Sequence, residues 1–247
     1  MGKNDPRKIL FANASSLRIE EIDSEKIKSE KLFIHPLIEN LYVEKIPGGT
    51  SPFFYQPFIS SFTPLIISGN IIDLGCGKGV NGFLIRLSRY LNKAKLIGIE
   101  IDDSYINFCK KHNIYDEIIK SPLPKIPQKD KSASLILCTE VIEHLTRKKG
   151  ILLLDEIDRV CNSRAIITTP NVFFKTMPGD PSDKHLSLWS IEDFKSRGYK
   201  VYGVGLKMPL LWGDKFIKIK QALYYFFTPI SYLFPHISGS LIAVKDF

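Results

Sequence analysis

The stretch N-I-I-D-L-G-C-G-K-G, residues Asn70–Gly79, indicates the fold of this chain. An apolar run at 70–75 leads into alternating glycines, and the amphipathic run 81–91 follows. The apolar run predicts a buried strand, and apolar residues at helical spacing predict a helix. Glycines allow positive φ, and the first turn of the helix presents N–H groups to a ligand. The stretch therefore predicts a strand, a ligand-binding turn and a helix.

The same alternation continues to the C-terminus. Further strands are predicted at 95–101, 132–140, 164–170, 199–206 and 240–247. Further helices are predicted at 103–112, 150–162 and 190–198. Strands that alternate with helices favour a parallel sheet covered on both faces. We predict an α/β, doubly wound, mostly parallel seven-stranded Rossmann-like sheet with helices on both faces.

The length of 247 residues suits one domain with additions. Residues 1–57 lack strong periodicity and are predicted to form an N-terminal extension or cap, with the main domain at 58–247. An insert at 208–237 separates the last two strands and combines a basic start, KFIKIKQ, with an aromatic run. Three roles remain open for this insert: a packed lid or core element, a peripheral membrane contact, or a dimer surface.

Composition narrows the class of protein. The net charge of +8 favours an anionic partner such as RNA or a lipid surface. The four cysteines are spaced like neither a disulfide framework nor a zinc site, which predicts reduced thiols and a cytoplasmic location. The first ten residues have charges and no apolar run, so we predict no signal peptide.

Two carboxylates favour S-adenosylmethionine (SAM) as the ligand of the glycine turn. Asp73 lies on the strand, where it can meet the amino group of a methionine moiety and would repel a pyrophosphate. Glu100 ends the next strand and can accept both ribose hydroxyls. Gly77, Gly79 and Gly82 also fit the G-x-G-x-x-G pattern of NAD-binding proteins, and a turn that only packs a helix is a further alternative.

On these motifs, the chain from about residue 70 resembles class I SAM-dependent methyltransferases. The resemblance implies that the last pair of strands is antiparallel. It also implies a set of cofactor-binding residues: Asp73, Gly75, Gly77, Gly79, Glu100, Ile101, Ser121 and Thr139. The acidic residue that the family often has near adenine is replaced here by Lys120 and Ser121, so adenine contacts are expected from backbone, hydroxyl or apolar groups.

In the motif E-V-I-E-H-L after the fourth strand, Glu140, Glu143 and His144 share one face if a helix has begun there. The motif resembles two groups of methyltransferases. One comprises small-molecule O-methyltransferases of the ubiquinone-biosynthesis type, which carry close variants without a metal. The other comprises small-RNA 3′-terminal 2′-O-methyltransferases, in which such a motif and a later histidine bind a divalent metal. That second resemblance implies metal ligation by Glu140, Glu143, His144 and His185, with Mg²⁺ or Mn²⁺ as the ion.

Three functions remain open on the sequence. The favoured one is methyl transfer to an oxygen, or else a nitrogen, of a small-molecule or lipid-like acceptor, with His185 as the first candidate for the general base and His144 as the second. The second is metal-dependent methylation of an RNA 3′ end. The third is a SAM-binding protein without catalysis.

Overall fold

The computed structural model describes residues 52–171, 184–207 and 216–247, all within one compact unit, Gly48–Phe247. Its helices are α1 (Pro52–Phe62), α2 (Val80–Ser88), α3 (Asp103–Lys111), α4 (Arg147–Val160), α5 (Ile191–Lys195) and α6 (Ile217–Leu233). Its strands are β1 (Ile66–Ser68), β2 (Asn70–Leu74), β3 (Tyr90–Asn92), β4 (Leu96–Glu100), β5 (Glu117–Lys120), β6 (Ala133–Thr139), β7 (Cys161–Pro170), β8 (Lys200–Leu206) and β9 (Ser238–Asp246). Two 3₁₀ turns lie at Ile142–His144 and Pro235–Ile237.

Seven strands form the main sheet in the order β5-β4-β2-β6-β7-β9-β8. The first five are mutually parallel, and β9 runs antiparallel to both of its neighbours. The strand order changes direction between β2 and β6, which puts the carboxyl ends of β2, β4 and β6 beside the crevice where open α/β sheets bind ligands. The predicted fold class and the antiparallel last pair are confirmed.

The central strands are buried on both faces, as their continuous apolar sequences predict. Every residue of β4 is buried, and so are all but one residue each of β2 and β6. One apolar cluster includes Leu153 and Trp189 and another includes Ile85 and Ile242. Because the sheet lies between packed layers, its carboxyl edge is a rigid platform for side chains.

One local prediction needs correction, and the condition on a second is not met. The helix after the glycine turn ends at Ser88 rather than at Leu91, because residues 90–92 form β3 and pair with β1. The residues after β6 form a short 3₁₀ turn, Ile142–His144, rather than the start of an α-helix.

The N-terminal extension lies mostly outside the described residues. Helix α1 runs across the predicted boundary at residue 57, and the division into extension and domain stays a prediction. The aromatics Tyr55 and Phe58 of this helix pack against the apolar cluster that contains Ile242. Residues 208–215 of the predicted insert are also outside the description, and α6 forms most of the rest. In the described ranges, no helix combines the length and the hydropathy needed to cross a bilayer.

Candidate functional site

The glycine turn connects β2 to α2 in a conformation that few other residues adopt. Gly75, Gly77 and Gly79 all have positive φ, at 60°, 51° and 77°. A Cβ atom on Gly79 would lie 2.9 Å from the side chain of Ile114, whereas one on Gly77 would meet nothing within 4 Å. Gly79 is therefore needed for packing, and Gly77 borders an open space that can admit a ligand.

Asp73 is wholly buried beneath the glycine turn. Its Oδ2 accepts a hydrogen bond from the Tyr115 hydroxyl at 2.6 Å, and its Oδ1 accepts one from Asn81 Nδ2 at 3.3 Å. Loss of solvation raises the pKa of this carboxyl to about 6, against the two hydrogen bonds that lower it. Asn81 also donates to Thr139 Oγ1 at 2.9 Å, so it links the end of β2 to the end of β6.

Glu100 binds the glycine turn to the end of β4. Its Oε2 accepts a hydrogen bond from the backbone N–H of Gly77 at 2.8 Å. Its Oε1 accepts from the N–H groups of Ile101 at 2.7 Å and Asp102 at 3.1 Å. A carboxylate offers about four lone-pair sites. The group therefore orders the turn and retains capacity to accept a ribose hydroxyl.

Two further predicted cofactor residues, Ile101 and Ser121, lie beside Glu100. Ile101 follows β4 with its side chain exposed, and the backbone N–H of Ser121 donates to the Glu100 carbonyl at 3.1 Å. Lys120 forms an ion pair with Asp103 at 2.5 Å. The predicted cofactor residues thus line one edge of the sheet, at the ends of β2, β4, β5 and β6, and their contacts with SAM stay a prediction.

Glu140 comes directly after β6 with a left-handed backbone, φ 54°. Its Oε1 accepts a hydrogen bond from Thr168 Oγ1 at 2.9 Å and its Oε2 accepts one from the Tyr55 hydroxyl at 3.2 Å. The same hydroxyl lies 2.7 Å from Ser240 Oγ. Loss of solvation raises the pKa of Glu140 to about 7, which leaves it able to take or release a proton near neutrality.

Glu143, His144 and His185 form a separate cluster in which one candidate ligand atom from each residue lies within 4.8 Å of the others. The two imidazole ring centroids are 5.0 Å apart in an edge-on arrangement. The carbonyl of Glu143 accepts from the N–H groups of Leu186 and Ser187 at 2.7 and 3.1 Å, which holds the His185 segment against the 3₁₀ turn. Glu143 Oε2 accepts from Thr169 Oγ1 at 3.3 Å.

The structure thus brings together three of the four predicted metal ligands. Glu140 is not part of the group, because the chain passes through a left-handed residue and a 3₁₀ turn instead of the α-helix that would align Glu140, Glu143 and His144 on one face.

Four polar residues of the site were not expected from the sequence: Asn81, Tyr115, Thr168 and Ser240. Thr168 had a sequence signal, because a polar residue near the carboxyl end of a buried parallel strand faces the ligand crevice. Tyr55 and Ser240 are separated by 185 residues, and only the folded sheet brings them together.

Comparison with known proteins agrees with this geometry. Residues 68–196, more than half of the chain, match a family model described as a methyltransferase domain. An uncharacterized protein of Methanocaldococcus jannaschii is 26% identical over 136 residues. That match covers 53% of this chain and 55% of the other, so the chain spans about half the length of the curated relative it matches.

Three solved structures share the fold. A SAM-dependent methyltransferase from Archaeoglobus fulgidus aligns with a TM-score of 0.51 and 17% identity, over 78% of this chain and 91% of that one. The methyltransferase solved with the Haloferax volcanii Trm112 methyltransferase activator gives 0.55 and 14%, over 77% and 87%. A SAM-dependent methyltransferase from Aquifex aeolicus gives 0.50 and 14%, over 92% and 99%. The matched family model shows that the chain belongs to the methyltransferase domain family, and its fold is the one that these solved methyltransferases share.

Proposed function

We propose that the protein transfers the methyl group of SAM to an oxygen, or alternatively a nitrogen, of a small-molecule or lipid-like acceptor. The observation that carries this proposal is the pair of imidazoles, His144 and His185, whose ring centroids lie 5.0 Å apart. His144 follows the end of β6, at the carboxyl edge of the sheet that also bears the glycine turn. The resemblance to methyltransferases of the ubiquinone-biosynthesis type supports an oxygen acceptor.

The residues fit this chemistry in distinct roles. When bound, SAM would supply an activated methyl group to the acceptor oxygen and would leave as S-adenosylhomocysteine. The proton of the acceptor hydroxyl passes to an imidazole, with His185 as first candidate and His144 as second. His144 Nδ1 lies 3.3 Å from the Lys184 carbonyl, which favours a proton on Nδ1 and leaves Nε2 basic. Such a base typically contributes about 10²–10⁴ in rate.

The substitution His185→Ala tests the role of the imidazole. We expect turnover to fall about 100-fold or more while the Kd for SAM changes less than about threefold, since the residue acts on the acceptor. Methyl-labelled SAM and a heat-treated cell extract supply donor and acceptors, and His236→Ala, an exposed histidine in the turn before β9, is the matched control. Unchanged turnover in His185→Ala would remove the residue from the mechanism. SAM binding with no transfer by the native protein would favour the non-catalytic SAM-binding alternative.

A second function is favoured by the cluster of Glu143, His144 and His185, whose ligand atoms lie within 4.8 Å of one another. Carboxylate and imidazole together suit Mg²⁺ or Mn²⁺, with two histidines favouring Mn²⁺. These residues would then hold the ion that engages the terminal ribose hydroxyls of an RNA 3′ end and lowers their pKa. Glu140 lies outside the cluster, so it would not be a ligand of the ion.

A chelator separates the two functions. Label that enters RNA and is lost with the chelator would support the metal-dependent enzyme and overturn the favoured acceptor. Label that enters the organic or small-molecule fraction, with or without the chelator, would support the small-acceptor enzyme and leave the histidines as bases.

A further inference from the structure

Helix α6 packs against the sheet with its more polar side. Tyr224 and Ser231 are buried, and Thr228 between them is half-buried. The ring of Tyr224 lies where a Cβ on Gly205 of β8 would be, and the backbone at Ser231 closely approaches Gly203. On an adjoining side of the helix, Tyr232 stacks on Tyr202 with ring centroids 4.9 Å apart. One side of the helix is therefore firmly attached to β8.

The outward side of α6 is apolar, the reverse of an ordinary surface helix. Five large apolar side chains recur there at intervals of four, three, four and three residues, which places them in one stripe. All five are exposed: Ile219, Leu223, Phe226, Ile230 and Leu233. Two exposed rings, Phe216 and Phe234, lie at the ends of the helix. We call these seven residues the α6 stripe.

Where the structure describes residues 207–233, the charged side chains are all lysines. Lys218 and Lys220 lie in the first turn of α6, and the exposed Lys207 follows β8. The sequence from 216 to 245 contains no aspartate or glutamate. A second copy of the chain could therefore offer these lysines no carboxylate from the same segment, as a symmetric dimer across this face would need. An anionic lipid surface supplies both the apolar layer and the negative charge.

We propose that the α6 stripe is a docking surface for the membrane–water interface of bilayers that contain anionic lipids. The helix would lie in the plane of the interface with Phe226 and Leu233 among the acyl chains and the lysines at the headgroups. This surface goes beyond the proposed methyl transfer and concerns where the enzyme meets its acceptor.

The inward side of the same helix is connected to Glu140 and its hydroxyl partners, which we call the acceptor side of the site. Burial, and after it the charges of Tyr225 and Glu140, raise the pKa of Tyr224 to about 12. Tyr224 lies against Gly205 of β8, and the adjacent Val204 pairs with Ser240 of β9. Ser240 Oγ lies 2.7 Å from the Tyr55 hydroxyl, which donates a hydrogen bond to Glu140. One helix thus connects the proposed lipid contact to the carboxylate beside the cleft, an arrangement suited to an acceptor that arrives from the bilayer.

Co-sedimentation with vesicles tests the docking without any methyl transfer, so its failure leaves the proposed reaction untouched. The full chain is mixed with vesicles of phosphatidylcholine alone or with phosphatidylglycerol added. We expect at least about tenfold tighter binding to the anionic vesicles, and a loss of that difference at high salt.

Phe226→Glu, on a side chain that is 73% exposed, should weaken vesicle binding about tenfold or more. Leu87→Glu, on a side chain of α2 that is 68% exposed, is the matched control and should bind as the native protein does. Leu233→Glu repeats the test at 70% exposure, and an unchanged Tm shows that each variant is folded. Lys218→Gln with Lys220→Gln should remove the preference for anionic lipid.

Three results would overturn the proposal. Equal binding to neutral and anionic vesicles would remove the role of the lysines. Native-like vesicle binding by Phe226→Glu and Leu233→Glu would remove the α6 stripe. A dimer in light scattering that Phe226→Glu converts to a monomer, with no vesicle binding by the native protein, would assign the stripe to a second copy of the chain.

Discussion

The proposed cofactor side of the cleft, with Glu100, and the proposed acceptor side, with Glu140, hold their carboxylates in different ways. On the cofactor side, Glu100 accepts hydrogen bonds from three backbone N–H groups, and two of them belong to the residues that follow it. On the acceptor side, Glu140 accepts from hydroxyl groups of Thr168 and Tyr55, which are 28 and 85 residues away. Backbone donors are present in every sequence, whereas hydroxyls require particular side chains. A short motif can therefore specify the cofactor side, while the acceptor side can differ from one relative to another.

The largest effect should follow from removing the carboxylate on the cofactor side. Glu100→Ala leaves three N–H groups without their acceptor and removes the partner of the ribose, so we expect the Kd for SAM to rise about 100-fold or more. Titration calorimetry measures this, with Glu117→Ala as control, because that residue forms an exposed ion pair with Lys95 at the amino ends of β4 and β5, away from the carboxyl edge that bears Glu100. A change of less than about threefold in Glu100→Ala would show that the turn binds SAM without this anchor.

Two glycine substitutions separate packing from ligand contact within the cofactor side. Both Gly77→Ala and Gly79→Ala place a side chain at positive φ, which costs about 1–2 kcal/mol in the free energy of unfolding. Gly79→Ala adds an overlap with Ile114 and should be the less stable of the two by about 1 kcal/mol or more. Gly77→Ala has room for its methyl group and should lose SAM affinity instead. Denaturant unfolding and SAM titration compare them, and equal stabilities would contradict the packing role of Gly79.

On the acceptor side, Glu140→Gln should make the protein more stable above neutral pH. An unfolded glutamate ionises near 4.5 and Glu140 in the folded protein near 7, so between these values the folded state holds a proton that the unfolded state has lost. The native free energy of unfolding therefore falls as pH rises through this window, and glutamine removes about 1–3 kcal/mol of that loss.

Denaturant unfolding at pH 5 and pH 8 measures this, with Glu192→Gln on the exposed side of α5 as control. Asp73, whose pKa is raised to about 6, keeps part of the same pH dependence in both proteins. If Glu140→Gln kept the full pH dependence of the native free energy of unfolding, the loss of stability between pH 5 and pH 8 could not be assigned to Glu140.

The smallest effect should come from Tyr55→Phe, which deletes one hydroxyl of the acceptor side. It removes contacts with Glu140 and Ser240 and should lower the free energy of unfolding by about 1 kcal/mol. It also removes a hydrogen bond that lowers the pKa of Glu140, so the pH window above should move upward. Tyr90→Phe is the control, on a side chain that is 79% exposed. A downward shift of the window would show that the hydroxyl does not stabilise the carboxylate.

The same contrast explains what the sequence could and could not predict. Strands β2, β4 and β6 were predictable because continuous apolar runs carry their own signal, and Glu100 was predictable because its position relative to the turn is local. Whether a helix begins directly after β6 was left open by the sequence, since helical spacing in E-V-I-E-H-L does not reveal the left-handed backbone of Glu140. Asn81, Tyr115 and Tyr55 act through tertiary contacts that no local pattern contains. The outward apolar side of α6 was open between three interpretations, because periodicity does not tell which side of a helix faces the sheet.

The position of β9 has a consequence for how a nascent chain assembles. Among the described strands, β8 pairs with β9 alone, and β9 lies between β7 and β8 although it is made after both. The strands whose carboxyl ends surround the glycine turn are β2, β4, β5 and β6. The last of them, β6, ends at Thr139, about a hundred residues before β9 begins. The final strand must therefore insert into the sheet rather than extend it. Until it does, Ser240 is absent from the network around Glu140. That network is therefore complete only after β9 has inserted, whereas β2, β4, β5 and β6 can pair with one another before β9 exists.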